Sequence, residues 1–328
     1  MQLRKTLNTK EPTMTSVPSQ TIHEQHLLED GPTLSAPAQT ETHIRQSNCQ
    51  KVRADEQVRR MRGGSQSHLM RCSDGNHYVV KFQNNPQHRR VLVNELLGSR
   101  LAARMGLPTT PSAVIQVSER LIDATNELVM ELPRYRVPCS AGKNFGSKYF
   151  GNPRNLLTRD VIPSEELRRI DNFNDLIGMV VFDKWTCNCD GRQLVFLLQE
   201  NGKYSMACID QGFCFNSGEW TFPDSPLRGL YRDKTIYRDH VRTLDDFEPW
   251  LSQLEREFNV EVLHEAASDI PTEWYDNDSK ALHSLLEKLD RRRKTIRELL
   301  RLSCVRLPLI FPYWTDDSRS CTHSSAAD

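Results

Sequence analysis

The sequence predicts an α+β fold in two unequal parts, a small mixed β/α part followed by a mainly helical one. Three observations carry this. Short strand-like runs at Ser67–Cys72, Tyr78–Phe82, Ala113–Val117 and Glu127–Leu132 are separated by glycine, asparagine and proline. One helical repeat, Leu92, Leu96, Leu97, Leu101 and Ala102, falls between the second and third of them. Beyond Pro163 the apolar spacing is helical almost throughout, broken by one pair of strands around an Asn201-Gly202 turn.

Each element has a local reason. Gly63-Gly64-Ser65-Gln66 and Ser73-Asp74-Gly75-Asn76 are turns that bracket the first strand. Asn84-Asn85-Pro86 breaks the chain before the first helix, and Gly106 with Pro108 ends that helix near Met105. Glu165–Ile170 starts a helix and Phe173–Lys184 forms a largely buried one. Leu194–Leu198 and Tyr204–Ile209 make the hairpin, and three amphipathic helices follow at Phe247–Phe258, Val260–Ala267 and Lys280–Leu302. Residues 1–55, rich in Thr, Ser, Gln, Pro and Glu, bury too little apolar surface to offset their ordering entropy and are expected to be disordered. Residues 303–328 are left as a tail.

Composition narrows the function. A chain of 328 residues holds one large domain or two moderate ones. Lys+Arg and Asp+Glu both number 43, so no global charge draws the chain to nucleic acid or to an anionic membrane. No apolar run approaches the roughly 18 residues of a membrane span, and no secretory leader is visible, so the chain reads as cytoplasmic. Nine cysteines at irregular spacings then read as reduced, buried thiols. Cys187, Cys189, Cys208 and Cys214 are the one grouping with any zinc-like character, at spacings unlike those of common zinc modules.

Three constellations carry chemistry. Gly63-Gly64 lets backbone N–H groups approach a phosphate, and Lys81 on the following strand supplies a point charge. Alone, that is also an ordinary hairpin with a solvent-facing lysine. Glu95 on the next helix, beside Asn94, is the partner that would hold such a lysine in place. Asn188-Cys189-Asp190-Gly191-Arg192-Gln193 follows a buried helix and suits a catalytic loop in which Asp190 accepts a hydroxyl proton, or else a capped turn. Ile209-Asp210-Gln211-Gly212-Phe213 ends a strand in Asp-x-Gly-aromatic, a magnesium-binding pattern or else a β-turn. The 20 residues from Asp190 to Asp210 suffice for a hairpin that returns the second aspartate beside the first.

Arg62 to His68, Tyr78 to Phe82, Asn94 to Leu97, Phe182 to Gln193 and Ile209 to Gly212 together resemble the HipA-like kinases of bacteria, over about residues 58–302. The resemblance implies a two-lobed, protein-kinase-like fold distantly similar to the phosphatidylinositol kinases. Its small mixed lobe would cover about 56–135 and its mainly helical lobe about 136–302. It implies ATP and Mg²⁺ as cofactors and a protein serine or threonine hydroxyl as acceptor. The backbone of Gly63, Gly64, Ser65 and Gln66 would cover the phosphates, and Lys81, held by Glu95, would contact them. Asp190 would be the base in a catalytic group with Arg192 and Gln193, and Asp210 the magnesium ligand.

One departure stands out. The family pattern Asp-x-His-x-x-Asn reads here as Asp190-Gly191-Arg192-Gln193-Leu194-Val195, so the metal-binding asparagine is Val195. Gln193 or Asn188 is then the candidate replacement ligand. Asp183 with Asn188 is a rival register for the same pattern. Two other functions remain open, a nucleotide-binding pseudokinase that serves a partner and an enzyme that transfers AMP. HipA-type toxins usually pair with a DNA-binding antitoxin, and such a partner is implied here, with no direct nucleic-acid binding by the chain itself.

Overall fold

The structure, a computed structural model, describes residues 52–155 and 157–315. The first part contains β1 (Val52–Arg60), β2 (His68–Cys72), β3 (His77–Lys81), α1 (Val91–Arg104), β4 (Ser112–Val117), α2 (Glu119–Asp123), β5 (Val129–Glu131), β6 (Arg136–Pro138), β7 (Gly142–Lys148) and the short β8 (Thr158–Arg159). Five of these strands close a barrel in the order β1-β2-β3-β7-β4, and β5 pairs with β6 as a separate ribbon. The barrel is filled by Met70, Val80, Phe82, Ile115 and Val117. Lys81, the last residue of β3, lies opposite Phe145 of β7.

The second part begins with α3 (Asp175–Thr186), followed by β9 (Gln193–Leu198) and β10 (Tyr204–Ile209), which join β8 in a three-stranded sheet. Then come α4 (Thr235–Arg238), α5 (Trp250–Glu257), α6 (Val260–Ala267), α7 (Ser279–Arg293) and α8 (Ile296–Arg306). A second, larger core unites α1 with these elements through Leu92, Leu96, Trp185, Trp274, Leu285 and Leu289. α1 therefore belongs to both parts. It follows the barrel strand that carries Lys81 and packs against the segment that carries Asp210. Among the described residues no helix is long and apolar enough to cross a membrane.

Several boundaries differ from the sequence reading. β1 starts at Val52, so the edge expected near 55 moves earlier; residues 1–51 lie outside the described residues. β1 has no strand signature, because its sequence, VRADEQVRR, has almost no apolar character and only Ala54 in it is buried. β7 lacks one for a related reason. GKNFGSK holds two glycines, yet it sits between β3 and β4, and at Gly146 a side chain would collide with Ile115. The single helix expected over 280–302 is two, α7 and α8, with a break at Lys294-Thr295 where the Thr295 hydroxyl donates back to the Arg292 carbonyl at 3.0 Å. The second of them runs to Arg306, beyond the expected end of the domain at 302.

Candidate active site

The barrel, α1 and the β9–β10 hairpin deliver three charged side chains to one point. Lys81 ends β3, Glu95 is in the second turn of α1, and Asp210 follows the last residue of β10. The Lys81 ammonium donates to Glu95 Oε1 and, at 2.8 Å, to Asp210 Oδ1. Glu95 also accepts two backbone N–H groups, from Gln211 to Oε2 and from Gly212 to Oε1, both at 3.0 Å. A carboxylate answered by one cation and two N–H donors fixes the Asp210-Gln211-Gly212 backbone as firmly as it fixes the lysine. Gly212 is required there, because a Cβ would lie 2.7 Å from Val91 Cγ1 and 3.0 Å from Glu95 Oε1. Asp210 itself has φ 59°, the left-handed region that aspartate visits only when its surroundings demand it.

Electrostatics follow from this packing. The Lys81 and Glu95 side chains are buried, whereas that of Asp210 keeps 23% of its surface exposed. Burial works against the charged lysine, but Asp210 and Glu95 outweigh it and hold the ammonium above its usual range. Burial pushes the Glu95 carboxyl upward against the pull of Lys81, while Asp210, despite its own desolvation, is held below the usual carboxylate range by the same lysine. Asp210 is thus the ionised, reachable acid of the trio.

Asn94, next to Glu95, organises the segment after Asp210. Its amide donates to the carbonyls of Gly212, Cys214 and Ser217 at 2.8, 3.0 and 2.8 Å, and its oxygen accepts the Trp220 indole N–H at 2.9 Å. The sequence placed Asn94 beside Glu95 without assigning it this role. A buried asparagine in the middle of an apolar helix was the signal available.

The loop between α3 and β9 is built around a closed network. Asp183 receives the Arg192 guanidinium in a two-pronged contact, with Nε at 2.9 Å from Oδ2 and Nη2 on Oδ1. Arg192 Nη1 donates to the Ile209 carbonyl and to Gln211 Oε1, both at 3.0 Å. Arg192 is 3% exposed, so this residue, expected in the catalytic group, instead pins the loop to the hairpin from inside. Asp183, the rival register for the base, is likewise buried and committed to that guanidinium.

Asn188 is equally occupied. Its amide donates to Asp183 Oδ1 at 3.0 Å and its oxygen accepts the Asp190 N–H at 3.1 Å, which leaves it a loop organiser rather than a free metal ligand. Asp190 itself is exposed, with Oδ1 accepting the Gly191 N–H at 2.8 Å. Gln193 is exposed at the start of β9, opposite Ile209, and is therefore the residue across the ladder from the approach to Asp210. Val195 lies on the same strand face, buried opposite Ala207.

The glycine turn sits close to Lys81 along the ladder, since β2 follows the turn directly and pairs His68 with Val80. Gly63 has φ 115° and Gln66 φ 49°, and the Gln66 N–H donates to the Gly63 carbonyl at 3.2 Å. Ser65 is buried, and the Gln66 side chain is spent on Glu131 backbone and Arg60 rather than on the Lys81 group.

Among the described residues no group of three or more His, Cys, Asp or Glu is placed to hold a metal. Cys187, Cys189, Cys208 and Cys214 are free thiols, and burial pushes Cys208 up to about 11, far from thiolate character. Magnesium needs less than such a cluster, because it keeps waters and substrate phosphates around one or two carboxylates. Asp210, ionised and partly exposed, fits that demand.

Comparison with known proteins settles the kinship. The sequence profile described as HipA-like kinase matches residues 54–302. The chain belongs to the HipA-like kinase family. No curated protein sequence matches it. Similar solved structures include the Helicobacter pylori proinflammatory kinase CtkA, at 15% identity and a TM-score of 0.49 over 77% of this chain and 96% of that one. A Golgi casein kinase with Mn/ADP bound is 10% identical, with a TM-score of 0.41 over 77% and 72% of the two chains. HipA of Shewanella oneidensis, solved with HipB and operator DNA, is 10% identical with a TM-score of 0.38 over 75% and 68%. With every score below one half, family membership rests on the profile.

Proposed function

We propose that this chain is a two-lobed, ATP-dependent phosphotransferase that moves the γ-phosphoryl group of ATP, with Mg²⁺, onto a protein serine or threonine hydroxyl. The observation that carries the reading is the Lys81–Asp210 ion pair, closed between residues 129 apart and backed by Glu95. A buried lysine held on a strand by a helix glutamate is a phosphate-contacting arrangement, and a partly exposed aspartate beside it is where a divalent ion would be held. Lys81 would contact the nucleotide phosphates, and Asp210 with Gln193 would hold the metal, which would supply charge neutralisation for the phosphates. Asp210 would be free for that role because Glu95 holds the Lys81 ammonium on its own account. The backbone of Gly63 to Gln66 would close over the phosphates. Asp190, exposed at the tip of the loop that Arg192 and Asn188 hold, accepts the hydroxyl proton as the new O–P bond forms and ADP leaves.

A second reading has one observation of its own. Val195 is buried in β9 with an alkyl side chain where the family pattern has a metal-binding asparagine, which favours a pseudokinase that binds nucleotide without transfer. Incubation with γ-labelled and α-labelled ATP separates these. Label from the γ position on a protein acceptor, lost in Asp190→Asn with metal-dependent ATP binding kept, supports phosphorylation. Label from the α position indicates AMP transfer, and binding without either label sinks the enzyme reading.

A further inference from the structure

Away from the Lys81 group, a cavity of about 190 Å³ opens between the C-terminal end of α3, residues 223–228, α7 and α8. A single water takes roughly 10–15 Å³ on the same measure, so the cavity has room for a polyatomic ligand. Its charge is unbalanced. Asp183 and Asp224 line it, but each is already answered, Asp183 by Arg192 and Asp224 by Arg292. Lys184, Arg228 and Arg306 also line it, and among the described residues none of the three forms an ion pair. Three cations thus line one cavity whose two carboxylates are already paired with other arginines.

The three differ in what they have to give. Lys184 Nζ donates to the carbonyls of Ser225, Pro226 and Arg228 at 3.1, 2.6 and 2.8 Å, which uses all its N–H groups and leaves only its charge. Burial lowers its ammonium to about 8, against an opposing pull from the Asp183 carboxylate. Arg228 commits one nitrogen, Nη1, to Asn216 at 3.0 Å, and Arg306 is exposed at the cavity rim. Two guanidinium forks with unused donors beside a fixed buried cation match an anion that carries two charges and several acceptor oxygens.

We propose that this cavity binds a phosphate group, carried by inorganic phosphate or by a phosphorylated side chain, on Arg228 and Arg306 with Lys184 behind them. The site is separate from the nucleotide site, for its walls include neither Lys81 nor Asp210. It adjoins the loop of Asp190 all the same, because the Gly229 N–H, next to Arg228, donates to the Asp190 carbonyl at 3.1 Å.

The test is calorimetric titration of the full chain with inorganic phosphate and, separately, with a short phosphoserine peptide. Lys81→Ala excludes phosphate captured at the nucleotide site. Wild type and Lys81→Ala should bind alike, while Arg228→Gln and Arg306→Gln should each weaken binding about ten-fold or more, the loss expected for one charge-assisted contact. Equal affinity for both probes identifies free phosphate as the ligand, and tighter binding of the peptide identifies a phosphate displayed on a chain. Arg306 is exposed, so Arg306→Gln should melt like wild type and remain informative if Arg228→Gln does not fold. Undiminished binding in a natively melting Arg306→Gln overturns the proposal, as does loss in Lys81→Ala alone or no binding of either probe at millimolar concentration.

Discussion

Two networks of buried charge meet at the same end of the β9–β10 hairpin, and they are built to opposite specifications. In one, Asp183 and Arg192 face each other with both side chains at most 1% exposed, and Asn188 and Gln211 occupy their remaining groups. In the other, Lys81 is shared between a sealed glutamate and an aspartate that keeps 23% of its side chain exposed. Gln211 joins them, donating its backbone N–H to Glu95 and accepting the Arg192 guanidinium on its side-chain oxygen. The closed network has no valence left for a ligand and can only hold shape. The open one keeps an acid with part of its surface exposed. The two therefore differ in how completely each member is satisfied rather than in burial of charge alone.

The comparison breaks most visibly if the closed network is cut. Asp183→Ala leaves the Arg192 guanidinium buried without a counter-charge, and unfolding in denaturant should show a loss of about 3–5 kcal/mol. A loss below 1 kcal/mol would mean that water reaches Arg192 and that the two networks are alike.

A pH series sharpens the contrast through a third buried group. His68, at the start of β2, is fully buried and packs edge-on against Phe82 at 5.8 Å between ring centroids. Burial, aided by Arg60, lowers it to about 4 from an ordinary 6.5. The unfolded chain therefore takes up a proton below pH 6.5 that the folded chain refuses until about 4, and folding stability falls as pH falls through that window. The contribution reaches about 2–4 kcal/mol at its acid end. Equilibrium unfolding of His68→Phe between pH 4 and 7 should show a flatter acid limb; an unchanged limb assigns the slope to the carboxylates instead.

In the open network, Lys81→Met should weaken ATP binding by about 1.5–3 kcal/mol by removing one charge-assisted contact. Unchanged affinity in a folded variant would take Lys81 out of the nucleotide site. The smallest effect belongs to a pair with neither property. Arg71 and Glu56 meet at 2.9 Å with side chains 47% and 59% exposed, and Glu56→Ala should change stability by no more than about 0.5 kcal/mol in a thermal melt.

The open network was legible in the sequence because each member sits at a recognisable place. Lys81 closes a strand, Glu95 lies in the second turn of the following helix, and Asp210 follows a strand two residues before a glycine. The closed network was not, because Arg192 looks like any loop arginine until the hairpin folds it inward, and Asp183 looks like an odd polar residue in an apolar helix. β1 and β7 were invisible for the reason that makes barrels hard to read. β7 is paired on both sides by strands far back in sequence, and β1 is held between the adjacent β2 and the distant β4, so neither needed strand-forming residues of its own. The helices past residue 244 could be read because their apolar faces repeat locally.

The Lys81–Asp210 pair and the Asn94 amide also set an order for events on the ribosome. By the time β7 has emerged, every strand of the barrel exists, together with an interior core to fill it. Lys81 then has Glu95 alone, and Asn94 has none of the carbonyls at Gly212, Cys214 and Ser217 that it will hold. Closing contacts over such separations is slow and entropically costly compared with pairing neighbouring strands. Synthesis thus delivers every barrel strand before Asp210 and before the segment that Asn94 holds, whose last partner is the Trp220 indole.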